Sequence, residues 1–443
     1  MMAMAKLHTT LVLEKRLHAG VTAARQYLSG LDIFHAHAGI PVVLVYKKGF
    51  DLAAAEQALV DTLKHYPIMT GRYKKDEQGQ VYVDSNDAGI DFRVSRCAGK
   101  MPYGPENPAG KDDIKQFFKL VLPWQVVGKD TPLFQVNIFQ FEDDGILMCC
   151  YAPHSLLDGS SYWGFMQNWS NACRGLPVKP PSFDRQVMID AGKTEFEPGS
   201  YDLMVAPGWF DYIRTMLGLG WRAVTGLKSE VMRVPAQTIQ QWKVQAKAEM
   251  PESAGVSTVE LVTAYVMKAF SPSMPRGMAR SVGLVLDLRY KRRLKLPRDF
   301  FGNALCYAEA RYSEEDLAQQ SVPMLAERCR PNNDQVGTES LFKMLALTET
   351  YRQKKAVWRL IFKPTIETLR AGLILNNVIQ LPIYDIDLGR GTPDWYDICP
   401  MTIRMLMVVN TPQKDGGVDL HVTARKAELK ALRASLKADG ISG

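Results

Sequence analysis

One junction constrains the fold of this chain more than any other feature. The run Gly145-Ile146-Leu147-Met148-Cys149-Cys150-Tyr151 is short and apolar, as a buried strand is. It is followed at once by Pro153-His154-Ser155-Leu156-Leu157-Asp158-Gly159 and then by an amphipathic segment. In that segment Tyr162, Phe165, Met166, Trp169 and Ala172 (or Cys173) recur at helical spacing, and Gly175 is the stop. A strand that turns directly into a one-faced helix belongs in a layered α/β fold. His154 stands at the turn, where rigid elements hold a loop and leave its side chain reachable.

The alternation continues along the chain. Residues 40–46 form a β-branched strand. Leu52, Ala55, Leu59, Leu63 and Tyr66 mark a helix that Pro67 ends. Residues 134–141 and 146–152 read as paired strands around the turn Glu142-Asp143-Asp144-Gly145. Ser257-Thr258-Val259-Glu260 has capping-box spacing, with Leu261, Tyr265, Lys268 and Ala269 continuing the helix. Residues 281–288 are a strand, and 402–410 and 417–424 a hairpin around Lys414-Asp415-Gly416. No fixed-period repeat is present. At 443 residues the chain is too long for one ordinary core, so two domains of roughly 200 residues are expected. Three prolines within 177–181 mark a shift in composition. The expected division is an N-terminal domain at 1–181, a crossover at 182–235 and a C-terminal domain at 236–443.

The net charge of +7 is dispersed, with short clusters at Arg289-Tyr290-Lys291-Arg292-Arg293 and Lys354-Lys355. Such a surplus suits a phosphorylated small ligand and is sparser than the stripe that binds nucleic acid. None of the seven cysteines forms a C-x-x-C pair, so no disulfide framework or metal site is expected, and a reducing compartment is. The N-terminus lacks an apolar signal core. The longest apolar stretch, 212–227, carries Arg214, Arg222 and several glycines, and is too short and charged to span a bilayer. The expectation is a cytoplasmic monomer.

Two motifs narrow the function. His154 to Gly159 reads H-x-x-x-D-G. More than two hundred residues later comes Asp387-Leu388-Gly389-Arg390-Gly391-Thr392-Pro393, close to D-F-G-x-G. In this order they resemble the BAHD acyl-CoA-dependent acyltransferases. Collinear blocks extend the likeness: Leu28-Ser29-Gly30-Leu31-Asp32, Tyr66-Pro67-Ile68-Met69-Thr70-Gly71-Arg72, Thr131-Pro132-Leu133, Asp287-Leu288-Arg289, Phe300-Phe301-Gly302-Asn303, and Asn376-Asn377-Val378 with Leu381-Pro382-Ile383-Tyr384-Asp385. The resemblance implies two similar chloramphenicol-acetyltransferase-like domains with mixed sheets and an active-site channel between them. It also implies acyl transfer from a coenzyme A thioester, a co-substrate rather than a bound cofactor, to a hydroxyl or amine of a small, secondary-metabolite-like acceptor. Pro153 replaces a frequent second histidine, Leu388 the phenylalanine of the late motif, and Arg390 and Val378 two tryptophans. The last two changes leave the acceptor open.

This chemistry needs a base that is neutral near pH 7, and histidine supplies one. His154 is assigned that role. It takes the acceptor's proton in a ternary complex and returns it to the leaving thiolate, without an acyl-enzyme. No serine or cysteine stands in a nucleophile elbow. Asp158 is either a partner of His154 or, as the resemblance implies, a structural carboxylate paired with an arginine. Gly159 is expected to allow tight packing or a positive φ. The resemblance pairs Asp387 with Arg289, with Gly389 and Gly391 shaping the loop; the alternative is a plain glycine turn that needs no pair. Asn376 and Asn377 are candidate oxyanion or pocket donors, or loop caps. His35, His37 and Arg390 are candidate pocket residues, with at least one of the two histidines expected to be an ordinary surface residue. Ser257 and Thr258 either bind coenzyme A phosphates at a helix N-terminus or simply cap it. Two other readings compete: a condensation-type domain fed by a carrier protein, and an inactive binding relative.

Overall fold

The computed structural model describes residues 7–109, 111–119, 125–193, 201–253, 255–291, 294–331, 333–397 and 402–441. Arg292, Arg293 and Cys399 lie outside these residues, as do residues 1–6, on which the expected lack of a signal core rests. The strands that build the two large sheets are β1 (Thr9–Leu17), β2 (Gly39–Tyr46), β3 (Ile90–Cys97), β4 (Gln135–Gln140), β5 (Ile146–Pro153), β6 (Leu227–Val234), β7 (Arg280–Asp287), β8 (Leu305–Tyr312), β9 (Leu373–Asn377), β10 (Trp395–Asp397), β11 (Met405–Asn410) and β12 (Val418–Arg425). The first sheet has the order β1-β3-β4-β5-β2-β10, the second β6-β12-β11-β9-β7-β8. Both are mixed: β3 and β4 run parallel, as do β9 and each of its neighbours, and the other pairs are antiparallel.

The strand and helix patterns held. The turn at 142–145 joins β4 to β5, with Gln140 opposite Ile146. Every residue of β5 is buried, because β4 and β2 flank it in the sheet and other layers cover its faces. Helix α1 (Gly30–Phe34), α2 (Leu52–Leu63) and α3 (Gly159–Cys173) follow in the N-terminal segment. The apolar stretch near residue 212 is α4 (Trp209–Thr225), and the capping box opens α5 (Thr258–Phe270). No helix among the described residues is long and apolar enough to cross a membrane.

The segments interlock. Strand β6, inside the expected crossover, forms one edge of the second sheet, while β10, from the C-terminal segment, closes an edge of the first against β2. Helix α6 (Thr338–Gln353) lies against α1 so closely that a Cβ on Gly30 would stand 2.4 Å from the Thr348 carbonyl. One core cluster draws on both segments, with Leu59 and Trp169 from the first and Phe301, Met344 and Tyr396 from the second. The second cluster belongs to the second sheet and its helices. Leu156 and Leu157, in the loop bearing His154, belong to the first cluster, which both segments build.

Candidate active site

Strand β5 delivers His154, whose backbone N–H donates to the Ala38 carbonyl at 3.0 Å. The ring is fixed from the second segment. Asn303 Nδ2 donates to the His154 carbonyl at 2.7 Å and to Asp32 Oδ1 at 3.0 Å. Both amide protons are thus committed to oxygens, and it is Asn303 Oδ1 that meets His154 Nδ1, at 3.0 Å. A carbonyl oxygen only accepts, so Nδ1 carries the ring proton and Nε2 holds the free lone pair. Burial lowers the pKa of His154, with Asp158, Asn303 and Asp32 opposing it. A tautomer with its lone pair on Nε2 and a pKa below the ordinary value is a base that stays neutral in mild acid.

Two buried ion pairs hold the loop. Arg289 grips Asp158 with both arms, Nη1 to Oδ2 at 2.8 Å and Nη2 to Oδ1 at 3.0 Å. Asp158 also accepts from the Ser161 and Ala304 N–H groups, each at 2.9 Å, and so caps α3. Burial opposes ionisation of Asp158, but Arg289 and these donors outweigh it and hold its pKa below the usual range. With its oxygens committed in this way, Asp158 is paired with an arginine and two backbone N–H groups rather than with His154. Arg185 forms the second pair, Nε to Asp32 Oδ2 at 3.2 Å, and its Nη2 donates to the Leu156 carbonyl at 2.7 Å. Asp32 closes the circuit by accepting from the Asn303 backbone N–H at 2.9 Å. Asn303, Asp32 and Arg185 were not foreseen as site residues. The first two lay within the collinear blocks, but nothing local marks them as partners of His154.

The expected Asp387–Arg289 pair does not form. Asp387 Oδ1 accepts from the N–H groups of Gly389 and Gly391 at 2.8 and 2.9 Å, and these glycines have φ of +105° and +120°. The turn is seated on Ser170, whose hydroxyl donates to the Asp387 carbonyl at 2.8 Å. Ser170 lies near the end of α3 and Asp158 caps its start, roughly 18 Å away at 1.5 Å per residue. One guanidinium cannot serve both ends. Gly159 also departs from expectation. It is not among the positive-φ residues, and a Cβ there would meet only Leu381, at an ordinary 3.5 Å.

His35 is brought to the site. Its ring stacks on that of His154, centroids 4.5 Å apart and planes 17° from parallel. His37 is exposed, edge-on to Phe34. Asn376 is half-buried in β9, and Asn377 caps its own loop by accepting from the Ile379 N–H at 3.2 Å. Arg390 is exposed. At Ser257 the capping box is complete, and the Glu260 carboxylate stands at the helix start, 2.6 Å from the Ser257 N–H.

Comparison with known proteins identifies this arrangement. A model described as the transferase family matches residues 20–438. A hydroxycinnamoyl-CoA:5-hydroxyanthranilate N-hydroxycinnamoyltransferase of Avena sativa is 23% identical, covering 87% of this chain and 85% of its own. The crystal structure of vinorine synthase superimposes with a TM-score of 0.70 at 20% identity, covering 97% of this chain and 98% of that one. F. graminearum TRI101, complexed with coenzyme A and T-2 mycotoxin, gives 0.73 at 13% identity, with 94% and 99% covered. These neighbours share the two-domain chloramphenicol-acetyltransferase-like fold, and the chain belongs to the BAHD acyl-CoA-dependent acyltransferases.

Proposed function

We propose that this chain transfers an acyl group from a coenzyme A thioester to a hydroxyl or amine of a small molecule, with His154 Nε2 as the general base. The reading is carried by the tautomer that Asn303 imposes, which leaves Nε2 as the basic nitrogen. Nε2 takes the acceptor's proton as the acceptor attacks the thioester carbon. The C–S bond then breaks, and the imidazolium returns the proton to the thiolate. Direct transfer in a ternary complex agrees with the state of the thiols. Burial pushes Cys173, Cys306 and Cys329 up to about 12, and Cys149 and Cys150 are buried in β5, so none of these is a ready nucleophile. The Avena relative and the coenzyme A complex of TRI101 support the choice of donor.

The test is a matrix of acyl-CoA donors against alcohol and amine acceptors, reading released thiol. Turnover of free acyl-CoA by the purified chain, with intersecting initial-rate lines, is expected. Ping-pong kinetics or a trapped acyl adduct would overturn direct transfer. A requirement for a carrier-protein thioester would move the enzyme to condensation chemistry.

A further inference from the structure

His154 is backed by a second histidine whose two ring nitrogens both have hydrogen-bond partners. His35 Nδ1 lies 2.8 Å from the Leu31 carbonyl, which can only accept, so Nδ1 carries the proton. His35 Nε2 is then the acceptor, and the Tyr307 hydroxyl donates to it at 2.6 Å. Tyr307 comes from β8, with its ring on Phe362 (centroids 4.6 Å apart) and its carbonyl accepting from the Tyr201 hydroxyl at 3.1 Å. His35 and Tyr307 are 8% and 3% exposed, so no water competes freely for the bond. Both ring nitrogens of His35 are occupied in its neutral form. Taking up a proton would require the Tyr307 hydroxyl to turn from donor to acceptor and to send its own proton elsewhere.

We propose that Tyr307 and His35 are a positioning pair for His154. Tyr307 holds His35 neutral, and the flat face of His35 orients the base and backs the cation that it becomes. The proposal rests on the reading of His154 as the base. A neutral aromatic face attracts the imidazolium that forms during transfer, whereas a second imidazolium would repel it. No atom passes through His35; the proton moves only between acceptor, His154 and thiolate. His154, His37 and Tyr307 are the titratable groups around His35. On the far side Asp32 and Asp158 act on His154; Arg185 pairs with Asp32, and Arg289 pairs with both Asp158 and Asp287. Burial, and after it His154, already hold the pKa of His35 well below the ordinary value.

The discriminating experiment is the pH profile of Tyr307→Phe, which removes one hydroxyl. The plateau kcat is expected to fall about 3- to 10-fold, the scale of one hydrogen bond, with KM for donor and acceptor within about twofold of the parent. The acid limb should also move to higher pH. A freed His35 binds a proton in weaker acid, and that charge opposes a second one on His154. A parent-like kcat with an unmoved limb overturns the pair. His154→Ala runs in the same assay: if it keeps turnover, the base assignment fails, and if it is inactive while Tyr307→Phe matches the parent, only the pair fails. Imidazole ¹⁵N spectra of the parent enzyme give a second test that no folding defect can spoil. His35 should remain the Nδ1–H tautomer across roughly pH 5–8. Titration of His35 in that window would refute its being held neutral.

Discussion

At the scale of the residue, the site turns on one nitrogen and the amide that exposes it. His154→Ala should lower kcat by about 10²- to 10⁴-fold, the usual worth of a positioned proton transfer, with little change in donor KM or melting temperature. Equal losses in kcat and folded fraction would instead make His154 a structural residue. The sign of the pH dependence follows from burial. Because the pKa of His154 is lowered, the neutral base persists as pH falls through about 6.5, and the acid limb of kcat/KM lies below that value. A limb centred above about 6.5 would contradict the burial argument. The place of His154 at the site was legible in the sequence, since strand, loop and helix patterns converge on it. Its partner was not. Asn303 lies 149 residues away, and only the folded chain shows that both of its amide protons are spent on oxygens.

At the scale of the element, helix α3 separates two aspartates that look alike in sequence, each followed within two residues by glycine. Local pattern located the helix, its start and its stop, because those depend on neighbours along the chain. Which aspartate meets Arg289 depends on where strand β7 ends relative to the start of α3, and spacing does not encode that. The consequences differ in size. Arg289→Met strips a buried carboxylate of its partner and should cost about 3–5 kcal/mol. Asp387→Ala breaks hydrogen bonds in a glycine turn on the surface side of α3 and should cost about 1–2 kcal/mol. Because the two sites share no partner, the double variant should be additive within about 0.5 kcal/mol in urea unfolding. A coupling larger than that would restore the pairing that the geometry denies. Gly159→Ala makes the complementary point. With no positive φ and no close Cβ contact, the change should leave stability unaltered or slightly raised, since alanine favours a helix start over glycine. A loss beyond about 1 kcal/mol would show a constraint at this motif glycine that the backbone does not reveal.

At the scale of the whole molecule, the alternation of strands and helices announced two mixed sheets, but not their interlocking. A three-residue strand such as β10 has too little pattern to be read, and it is this strand that carries the C-terminal segment into the first sheet. There Trp395 stacks on His421 of β12, centroids 5.5 Å apart and planes 18° from parallel, so one ring pair spans the two sheets. His421 Nε2 is buried without a hydrogen-bond partner beside a cavity of about 30 Å³. Burial lowers its pKa to about 3. The unfolded chain takes up this proton below about pH 6.5, whereas the folded chain does so only near 3, so stability is fully present above 6.5 and is lost as pH falls between the two values. One proton changes stability by about 1.4 kcal/mol per pH unit, or about 2 kcal/mol by pH 5. His421→Phe keeps a ring against Trp395 and removes the titration. Its unfolding free energy should therefore fall by about 2 kcal/mol less than the parent's between pH 7.5 and pH 5. If parent and variant weaken equally over that interval, His421 is not the group that makes the junction of the two sheets sensitive to acid.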